Sequence, residues 1–328
     1  MKRWLLFLTV FAALFVALTL QPVTIARADG GPHGGYSATT DSCAACHRAH
    51  TAGAPRLLAF ESERGLCLTC HGAAGRGANT DIENGTYHAN GGSDVGKANT
   101  PDNAPLLGGG LVNYQGKPVT SVHDADNSTT AAWGNGVNRG ATANLSAGNL
   151  SCSSCHNPHG SANYRLIRTV VNGNPVSVAQ VDEGNAKNYA QENWGAGYSS
   201  LCSACHSSYL VTSKGSGSNM TLLQTGGTTH RVDMNYKYAG MESGTNQNPE
   251  TVGYQSYTLP LAQSGPDADT SKNIVTCATC HAAHGTSAQM TGLANSGALP
   301  GRTSASDSAL LRLDNRGVCQ VCHQQGVR

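Results

Sequence analysis

The sequence has 328 residues, with 21 lysines and arginines, 20 aspartates and glutamates, and a formal net charge of +1 at pH 7. No basic or acidic run stands out, which argues against a nucleic-acid-binding protein, because that function needs a clustered basic face. Glycine contributes 40 residues and aromatic residues only 5% of the chain. So few large apolar side chains cannot offset the conformational entropy lost in ordering a chain of this length. We therefore expect something other than side chains to form the core.

Residues 1–28 are predicted to be a cleaved secretory signal peptide. A short basic start over 1–3 precedes an almost wholly apolar run over 4–20 and a small-x-small site at 26–28. This layout is typical of a signal peptide with cleavage before Asp29, and an uncleaved membrane anchor is the alternative. No second long apolar run follows, so the mature chain over 29–328 is predicted to be exported and soluble, with no membrane span.

The motif C-x-x-C-H occurs six times and accounts for all twelve cysteines of the chain. Two cysteines at i and i+3 share one side of a helical turn, and the next residue stays within reach of the same face. The pattern is typical of c-type haem attachment, in which two thioether bonds hold the porphyrin and the histidine is the proximal iron ligand. The sequence therefore predicts six covalently bound haem c groups. In chain order, motifs 1 to 6 are Cys43, Cys46 and His47; Cys67, Cys70 and His71; Cys152, Cys155 and His156; Cys202, Cys205 and His206; Cys277, Cys280 and His281; Cys319, Cys322 and His323.

Other uses of paired cysteines fit the sequence less well. A structural zinc site needs four ligands, commonly from two C-x-x-C halves at regular spacing, whereas each pair here has its own histidine and the spacing between motifs is irregular. A thioredoxin-like motif would occur once, within a βαβ pattern. Disulfides that close such small loops would stabilise the fold little. Haem attachment also explains the composition, because each macrocycle can be the apolar centre of the segment that surrounds it. The chain without haem is then expected to be unfolded.

Three motifs are extended to C-x-x-C-H-x-x-H, which adds His50, His159 and His284. The added histidine lies on the same face as the proximal one, so it cannot reach the far side of its own haem. It can reach the iron of a haem packed beside it. We therefore interpret these three histidines as distal ligands of neighbouring haems. The alternative is a surface histidine or a partner of a haem propionate.

Thirteen histidines allow every haem to have two imidazole ligands, because six are proximal and seven remain. The mature chain has four methionines, and a His/Met site would have a raised reduction potential. The sequence favours six bis-histidine haems, with His33, in the Gly-rich start of the mature chain, as the spare histidine and a possible extra ligand. The predicted distal ligands are then His50, His88, His123, His159, His230 and His284.

The motifs form three pairs, and each pair repeats the same order of features. An extended motif is followed by a Leu-rich step and then by an unextended motif, which indicates an internal di-haem repeat. One cytochrome domain over 29–328 is therefore predicted, built from di-haem modules over 43–71, 152–206 and 277–323. The connections over 72–151 and 207–276 are expected to loop back as donors of distal ligands. Short strands are predicted at 209–212 or 254–259, and short helices at the motifs.

The order of extended and plain motifs, with CSSCHNPHG third and Tyr87-His88 after the second motif, resembles the extracellular hexahaem cytochrome filaments of metal-reducing bacteria, the OmcS type. The resemblance covers the mature chain through its haem order. It implies a fold that is mostly coil with short helices and few strands, wrapped around a continuous stack of bis-histidine haems. It also implies subunits joined end to end, with His50 as the ligand that each subunit supplies to a haem of the next. Such a heterologous, non-closing contact generates a filament.

If every iron has two protein ligands, no position is open for a substrate, and the haems can only transfer electrons. The sequence therefore predicts an electron carrier that is not an enzyme. Its expected partners are further copies of itself, other redox proteins, and extracellular metal oxides or electrodes. We expect it to be secreted, outside the cell or on the cell surface. The alternatives are a monomeric periplasmic multihaem shuttle and a multihaem reductase of nitrite- or hydroxylamine-type substrates, which would need a five-coordinate haem.

Overall fold

The computed structural model describes residue 33 and residues 41–74, 78–88, 103–126, 131–133, 142–144, 149–179, 194–210, 220–222, 228–238, 249–250, 257–263, 273–295 and 308–323. The predicted signal peptide over 1–28 lies outside these residues. Within the described residues, no helix is long and apolar enough to cross a membrane.

Helices are short and coincide with the haem-attachment motifs. The described helices are α1 (Asp41–Cys46), α2 (Glu63–His71), α3 (Cys152–Cys155), α4 (Tyr198–Ser203), α5 (Cys277–Cys280), α6 (Gly292–Asn295) and α7 (Val318–Cys322). All of them except α6 include both cysteines of a motif or end within one, which confirms the prediction of short helices at these sites. Their ends are fixed locally, because α3 and α5 each begin with a capping box of two hydroxyl side chains, Ser151 with Ser154 and Thr276 with Thr279.

Strands of two or three residues connect the motifs. They are β1 (Thr80–Asp81), β2 (Thr86–Tyr87), β3 (Asn113–Tyr114), β4 (Lys117–Pro118), β5 (Ser121–Val122), β6 (Ala131–Trp133), β7 (Thr142–Asn144), β8 (Val170–Val171), β9 (Asn174–Pro175), β10 (Trp194–Gly195), β11 (Met220–Leu222), β12 (Thr228–His230), β13 (Met234–Asn235), β14 (Ala262–Gln263), β15 (Ile274–Val275) and β16 (Gly285–Thr286). Most pair with one neighbour as hairpins. The described part is therefore mostly coil with short helices, as predicted, and its strands are no longer than three residues.

Two sheets link distant parts of the chain. The four-stranded sheet has the order β10-β14-β15-β13, in which β10 and β14 are parallel and the other pairs antiparallel. The second sheet pairs β16 with β5, so that Gly285 lies opposite Val122 and Thr286 opposite Ser121. Because β5 immediately precedes His123 and β16 immediately follows His284, this short ladder holds two candidate iron ligands side by side.

Apolar side chains are buried in small separate clusters. The largest of these includes Tyr164, Ile167, Val178 and Tyr198, and a second one joins Leu259 to Val318 and Val321 beside motif 6. Such small clusters fit the expectation that the polypeptide lacks an ordinary core. They lie next to the motifs and position them.

The strands predicted at 209–212 and 254–259 are wrong wherever the structure describes these residues. Ser207–Tyr209 form a 3₁₀ turn in which the Tyr209 N–H donates to the His206 carbonyl at 3.0 Å. The helical turn of motif 4 thus continues into this segment. Because the Tyr209 N–H is already bonded within this turn, it cannot donate to a neighbouring strand. Residues 257–259 are irregular, with Leu259 fully buried and its N–H bonded to the Pro249 carbonyl at 2.9 Å.

Candidate haem-binding sites

Each attachment motif forms a turn of helix that places its two thiols and its histidine together. In five motifs the histidine N–H donates to the carbonyl of the first cysteine, four residues earlier. The N···O distances are 2.8 Å for His47, 3.0 Å for His156, 2.9 Å for His206, 3.0 Å for His281 and 2.8 Å for His323. Motif 2 lies inside the nine-residue helix α2. All twelve cysteines are free thiols, as covalent haem attachment requires.

Five of the six proximal histidines face a second imidazole at nearly the same distance. The ring centroids are 6.1 Å apart for His33 and His71, 6.0 Å for His47 and His159, 6.1 Å for His123 and His206, 6.3 Å for His156 and His284, and 6.1 Å for His230 and His323. Each pair joins one proximal histidine to one histidine from elsewhere in the chain. The chain therefore brings ligand pairs together across long sequence separations.

The spacing of these pairs fits an iron between the rings. Two imidazoles on opposite sides of one metal have centroids about 6.2 Å apart, because each metal–nitrogen bond spans about 2.0 Å and the ring centre lies about 1.1 Å behind the nitrogen. The angle between the ring planes ranges from 6° to 71°, yet the separation hardly changes. Rotation about a nitrogen–metal–nitrogen axis has this property, whereas the distance between rings in direct contact depends on their tilt.

The remaining histidines have other surroundings. The described residues place no second imidazole at this spacing from His281, the proximal histidine of motif 5, nor from His50. His50 is exposed. The Nε2 atom of His88 lies 3.6 Å from a carboxylate oxygen of the buried Asp81. His33, predicted as the spare histidine, occupies the position opposite His71 that the sequence had left open.

The proximal histidines of motifs 1, 3 and 5 share one hydrogen bond that orients them. The Nδ1 atom bonds to a backbone carbonyl, that of Arg56 at 3.0 Å, Arg165 at 2.9 Å and Ala309 at 2.8 Å respectively. Because a carbonyl only accepts, Nδ1 must carry the proton, and Nε2 keeps its lone pair for a metal. Such an outer partner fixes both the tautomer and the orientation of a metal-binding imidazole.

The carbonyls come from a repeated loop that we call the strap: Arg56-Leu57, Arg165-Leu166 and Ala309-Leu310. Both residues of each strap are left-handed, with φ between 52° and 62°. This conformation costs a non-glycine residue roughly 1–2 kcal/mol, so surrounding contacts must hold it. The backbone supplies them, because the N–H that follows each proximal histidine donates to the second strap residue at 2.8–2.9 Å. The Leu-rich steps of the sequence are therefore the straps that orient three proximal ligands.

Burial keeps the candidate ligands neutral. Desolvation lowers the pKa of His281 to about 4 and that of His284 to about 3. Burial likewise lowers the pKa of His71, His123 and His230. Only the neutral imidazole has a lone pair for a metal, so these environments favour the ligating form.

The thiols follow one another in the order of the motifs. The interaction between the Cys67 and Cys152 thiols raises the pKa of Cys67 and lowers that of Cys152; Cys202 and Cys277 are related in the same way. These interactions join the first cysteines of motifs 2 and 3 and of motifs 4 and 5. Burial raises the pKa of three second cysteines, and a neighbouring second cysteine raises each further: Cys70 for Cys46, Cys205 for Cys155 and Cys322 for Cys280. The thiols of successive motifs therefore lie near one another, in a row from motif 1 to motif 6.

A glycine triplet lets the segment of His284 approach closely. The His284 N–H donates to the Gly108 carbonyl at 2.7 Å, and the Gly110 N–H donates to Gly285 at 3.2 Å. Gly109 has φ +79°, and a Cβ added there would lie 1.9 Å from the Gly285 carbonyl oxygen. On the other side, the His123 Nδ1 donates to the Ala283 carbonyl at 2.7 Å. One short segment therefore carries or orients ligands that belong to motifs 3, 4 and 5.

A carboxylate joins the second motif to the third. Glu63, in the first turn of α2, accepts from the Ser153 N–H at 2.5 Å and from the Ser153 hydroxyl at 2.8 Å. Its neighbour Arg64 forms an ion pair with Asp124 at 2.8 Å. The Glu63 hydrogen bonds hold α2 against α3, the Arg64 ion pair ties α2 to the segment after β5, and these residues gave no haem-related signal in the sequence.

A family model described as the doubled CXXCH motif matches residues 37–76 and 144–174, which include motifs 1, 2 and 3. A comparison with curated proteins found no match. The attachment motifs, their helical turns and this match define the chain as a multihaem c-type cytochrome that binds haem c covalently. Among solved structures, the chain is similar to the outer membrane cytochrome S filament from Geobacter sulfurreducens. The sequence identity is 17% and the TM-score 0.43, over 87% of this chain and 98% of that chain.

Proposed function

We propose that the protein is a hexahaem electron carrier in which every iron has two histidine ligands. The five imidazole pairs at 6.0–6.3 Å carry this proposal. In this proposal His159 serves motif 1, His33 motif 2, His284 motif 3, His123 motif 4 and His230 motif 6. His33 then replaces His88 in the set of distal ligands that was predicted from the sequence. Haem c, when bound, supplies a one-electron Fe(III)/Fe(II) couple, and bis-histidine ligation leaves no open position for a substrate.

The row of neighbouring thiols supports transfer along the whole chain. Cysteines of each motif lie near enough to those of the next to influence their pKa values, so haems attached there would lie side by side from motif 1 to motif 6. Second cysteines influence each other within the di-haem modules over 43–71, 152–206 and 277–323, and first cysteines influence each other between modules. This pattern supports the three-module organisation of one domain over 29–328.

The pattern of imidazole pairs supports polymerisation. The extension histidine of motif 3 faces motif 1, and that of motif 5 faces motif 3, so each ligand comes from two motifs further along. If this rule continues by one step, the histidine opposite that of motif 5 is the extension histidine of motif 1, supplied by a second copy of the chain. His50 is exposed and His281 has no partner imidazole within the described residues, so the two can complete each other between chains.

The first cysteines at the two ends of the row give a second reason to propose a contact between copies. First cysteines meet at both junctions between modules, and the first cysteines left at the ends are Cys43 and Cys319. Both are exposed. A head-to-tail contact between copies would bring Cys43 and Cys319 together, in the way that Cys67 and Cys152 lie together between motifs 2 and 3. Because such a contact is heterologous and does not close, it would generate a filament.

Secretion and an extracellular location complete the proposal. A signal peptide over 1–28 would deliver the chain to the compartment in which haem is attached. The filament would then pass electrons to other redox proteins or to extracellular metal oxides and electrodes.

The test is His50→Ala in protein purified with its haems, with His88→Ala as the control. The account expects His50→Ala to give single subunits by electron microscopy and one high-spin haem in six by low-temperature electron paramagnetic resonance. His88→Ala should keep filaments and six low-spin haems. Filaments with six low-spin haems in His50→Ala would contradict the inter-subunit ligand. Wild-type single subunits with six low-spin haems would favour a monomeric shuttle, and a wild-type high-spin haem would favour a reductase.

A further inference from the structure

The second residue after each strap repeats in position but differs in charge. Ala59, Arg168 and Arg312 each donate their backbone N–H to the carbonyl of the second cysteine of motif 1, 3 or 5, at 2.9, 2.9 and 3.0 Å. The three side chains therefore start from the same place relative to their haem sites. One is neutral and two carry a permanent positive charge, because a guanidinium stays protonated in proteins.

The two arginines also reach equivalent backbone groups. Arg168 Nη1 donates to the Ser153 carbonyl at 3.2 Å, and Arg312 Nε donates to the Ala278 carbonyl at 2.9 Å. Ser153 and Ala278 are the residues that follow the first cysteine in motifs 3 and 5. Both guanidinium groups are thus held against the attachment turn, at the same level of the site.

Their exposure to solvent differs. Arg168 is exposed, whereas Arg312 is partly covered as a residue and its Nη2 atom is fully buried. The phenol of Tyr114 lies beside Arg312 and stays neutral, because burial raises its pKa. The positive charge of Arg312 also acts on His281, the predicted iron ligand of this motif. Burial lowers the pKa of His281, and the charge of Arg312 lowers it further. A buried charge acts through a lower dielectric than an exposed one and is less screened by salt.

We propose that Arg312 makes the haem of motif 5 the highest in reduction potential among the three odd-numbered haems, with motif 3 next and motif 1 lowest. A ferric haem carries one more positive charge than a ferrous one, so a fixed positive charge nearby favours the reduced state. The buried guanidinium has the largest effect, the exposed one of Arg168 a smaller effect, and Ala59 none. The repeat therefore builds a gradient that draws electrons from motif 1 towards motif 5. The inference rests on the proposed function only for the presence of haem at these motifs.

The test is a spectroelectrochemical titration of haem-loaded protein, in which each haem exchanges one electron with the electrode. We expect Arg312→Leu to move one sixth of the absorbance change to lower potential. Arg168→Leu should shift one sixth by less, and Arg312→Lys, which keeps the charge, should shift it little. Ala59→Arg is the gain-of-charge counterpart and should raise the potential of one haem.

Haem content and spin state are measured first on each variant, so a loss of haem or of ligation is recognised separately from a change of potential. If six low-spin haems remain in Arg312→Leu and its titration superimposes on that of the wild type, the proposal is overturned and the proposed function still stands. A shift in Arg168→Leu equal to or larger than that in Arg312→Leu also overturns it. Should Arg312→Leu lose haem, Ala59→Arg decides: no rise in potential contradicts the charge effect.

Discussion

The imidazole of His33 lies 6.1 Å from that of His71, with the ring planes only 6° apart. His123 relates to His206, and His230 to His323, at the same distance. In each case the first histidine precedes a module and the second belongs to the even-numbered motif that ends it. If these histidines are the distal ligands that we propose, the repeat unit is longer than the paired motifs, because each unit begins with its own distal ligand.

This relationship predicts different results for two histidines near the N-terminal end of the mature chain. In His33→Ala the iron of motif 2 loses its second ligand, so one haem in six should become high-spin. His88→Ala should leave all six low-spin, because the other twelve histidines complete the ligand set. Electron paramagnetic resonance of the ferric protein distinguishes the two variants. The reverse result, a high-spin haem in His88→Ala only, would restore the ligand set expected from the sequence.

The close approach of Gly109 to Gly285 leads to a second prediction. Gly109→Ala places a methyl group where only 1.9 Å separates it from the Gly285 carbonyl oxygen, so the segment that carries His284 must move. We expect a high-spin haem at motif 3 and a loss of about 1–3 kcal/mol in unfolding free energy. Gly116→Ala is the matched control, because Gly116 also has a positive φ, +74°, but nothing lies within 4 Å of an added Cβ. Equal effects from the two variants would mean that backbone strain, and not the clash, is responsible.

The hydrogen bonds between Glu63 and Ser153 lead to a third prediction. Glu63→Gln removes the charge from two hydrogen bonds that join α2 to α3, which should cost about 1–3 kcal/mol. Thermal unfolding monitored through the haem absorbance measures this loss. Glu61→Gln is the control, because Glu61 is exposed and two residues away. A midpoint unchanged from that of the wild type in Glu63→Gln would show that α2 and α3 are held together by their haems alone.

The lowered histidine pKa values set the response to acid. Between the ordinary value of 6.5 and about 4, His281 stays neutral when folded but takes up a proton when unfolded. The unfolded state then binds more protons, so stability is full above pH 6.5 and falls as pH drops towards 4. We expect the midpoint of thermal unfolding to decrease over this range. A midpoint that stays constant between pH 6.5 and pH 4 would contradict the buried, neutral histidine.

Much of this organisation could be predicted from the sequence, because covalent attachment has a local signature. The six motifs, the short helices at them and the lack of an ordinary core follow from residues close together in the chain. The three Leu-rich steps were also visible. Their left-handed straps were not, since residues such as Leu57 and Leu310 have side chains that usually avoid a positive φ.

The distal ligands required tertiary information. Neither His33 nor His88 belongs to an attachment motif, and the sequence favoured His88 as a distal ligand with His33 as the spare. The signal that separates them is the recurrence of one histidine before each module, at His33, His123 and His230. The irregular spacing before each module, 10, 29 and 47 residues from that histidine to the first cysteine, concealed this recurrence.

The central claim is that six haems are attached to this chain and that each iron is held by two imidazoles. The most direct measurement combines the intact mass of the purified protein with its ferric electron paramagnetic resonance spectrum. The account predicts a mass that exceeds the mature polypeptide by six haems, and low-spin signals alone for the assembled protein. A mass with fewer than six haems, or a high-spin signal in the intact filament, would contradict it.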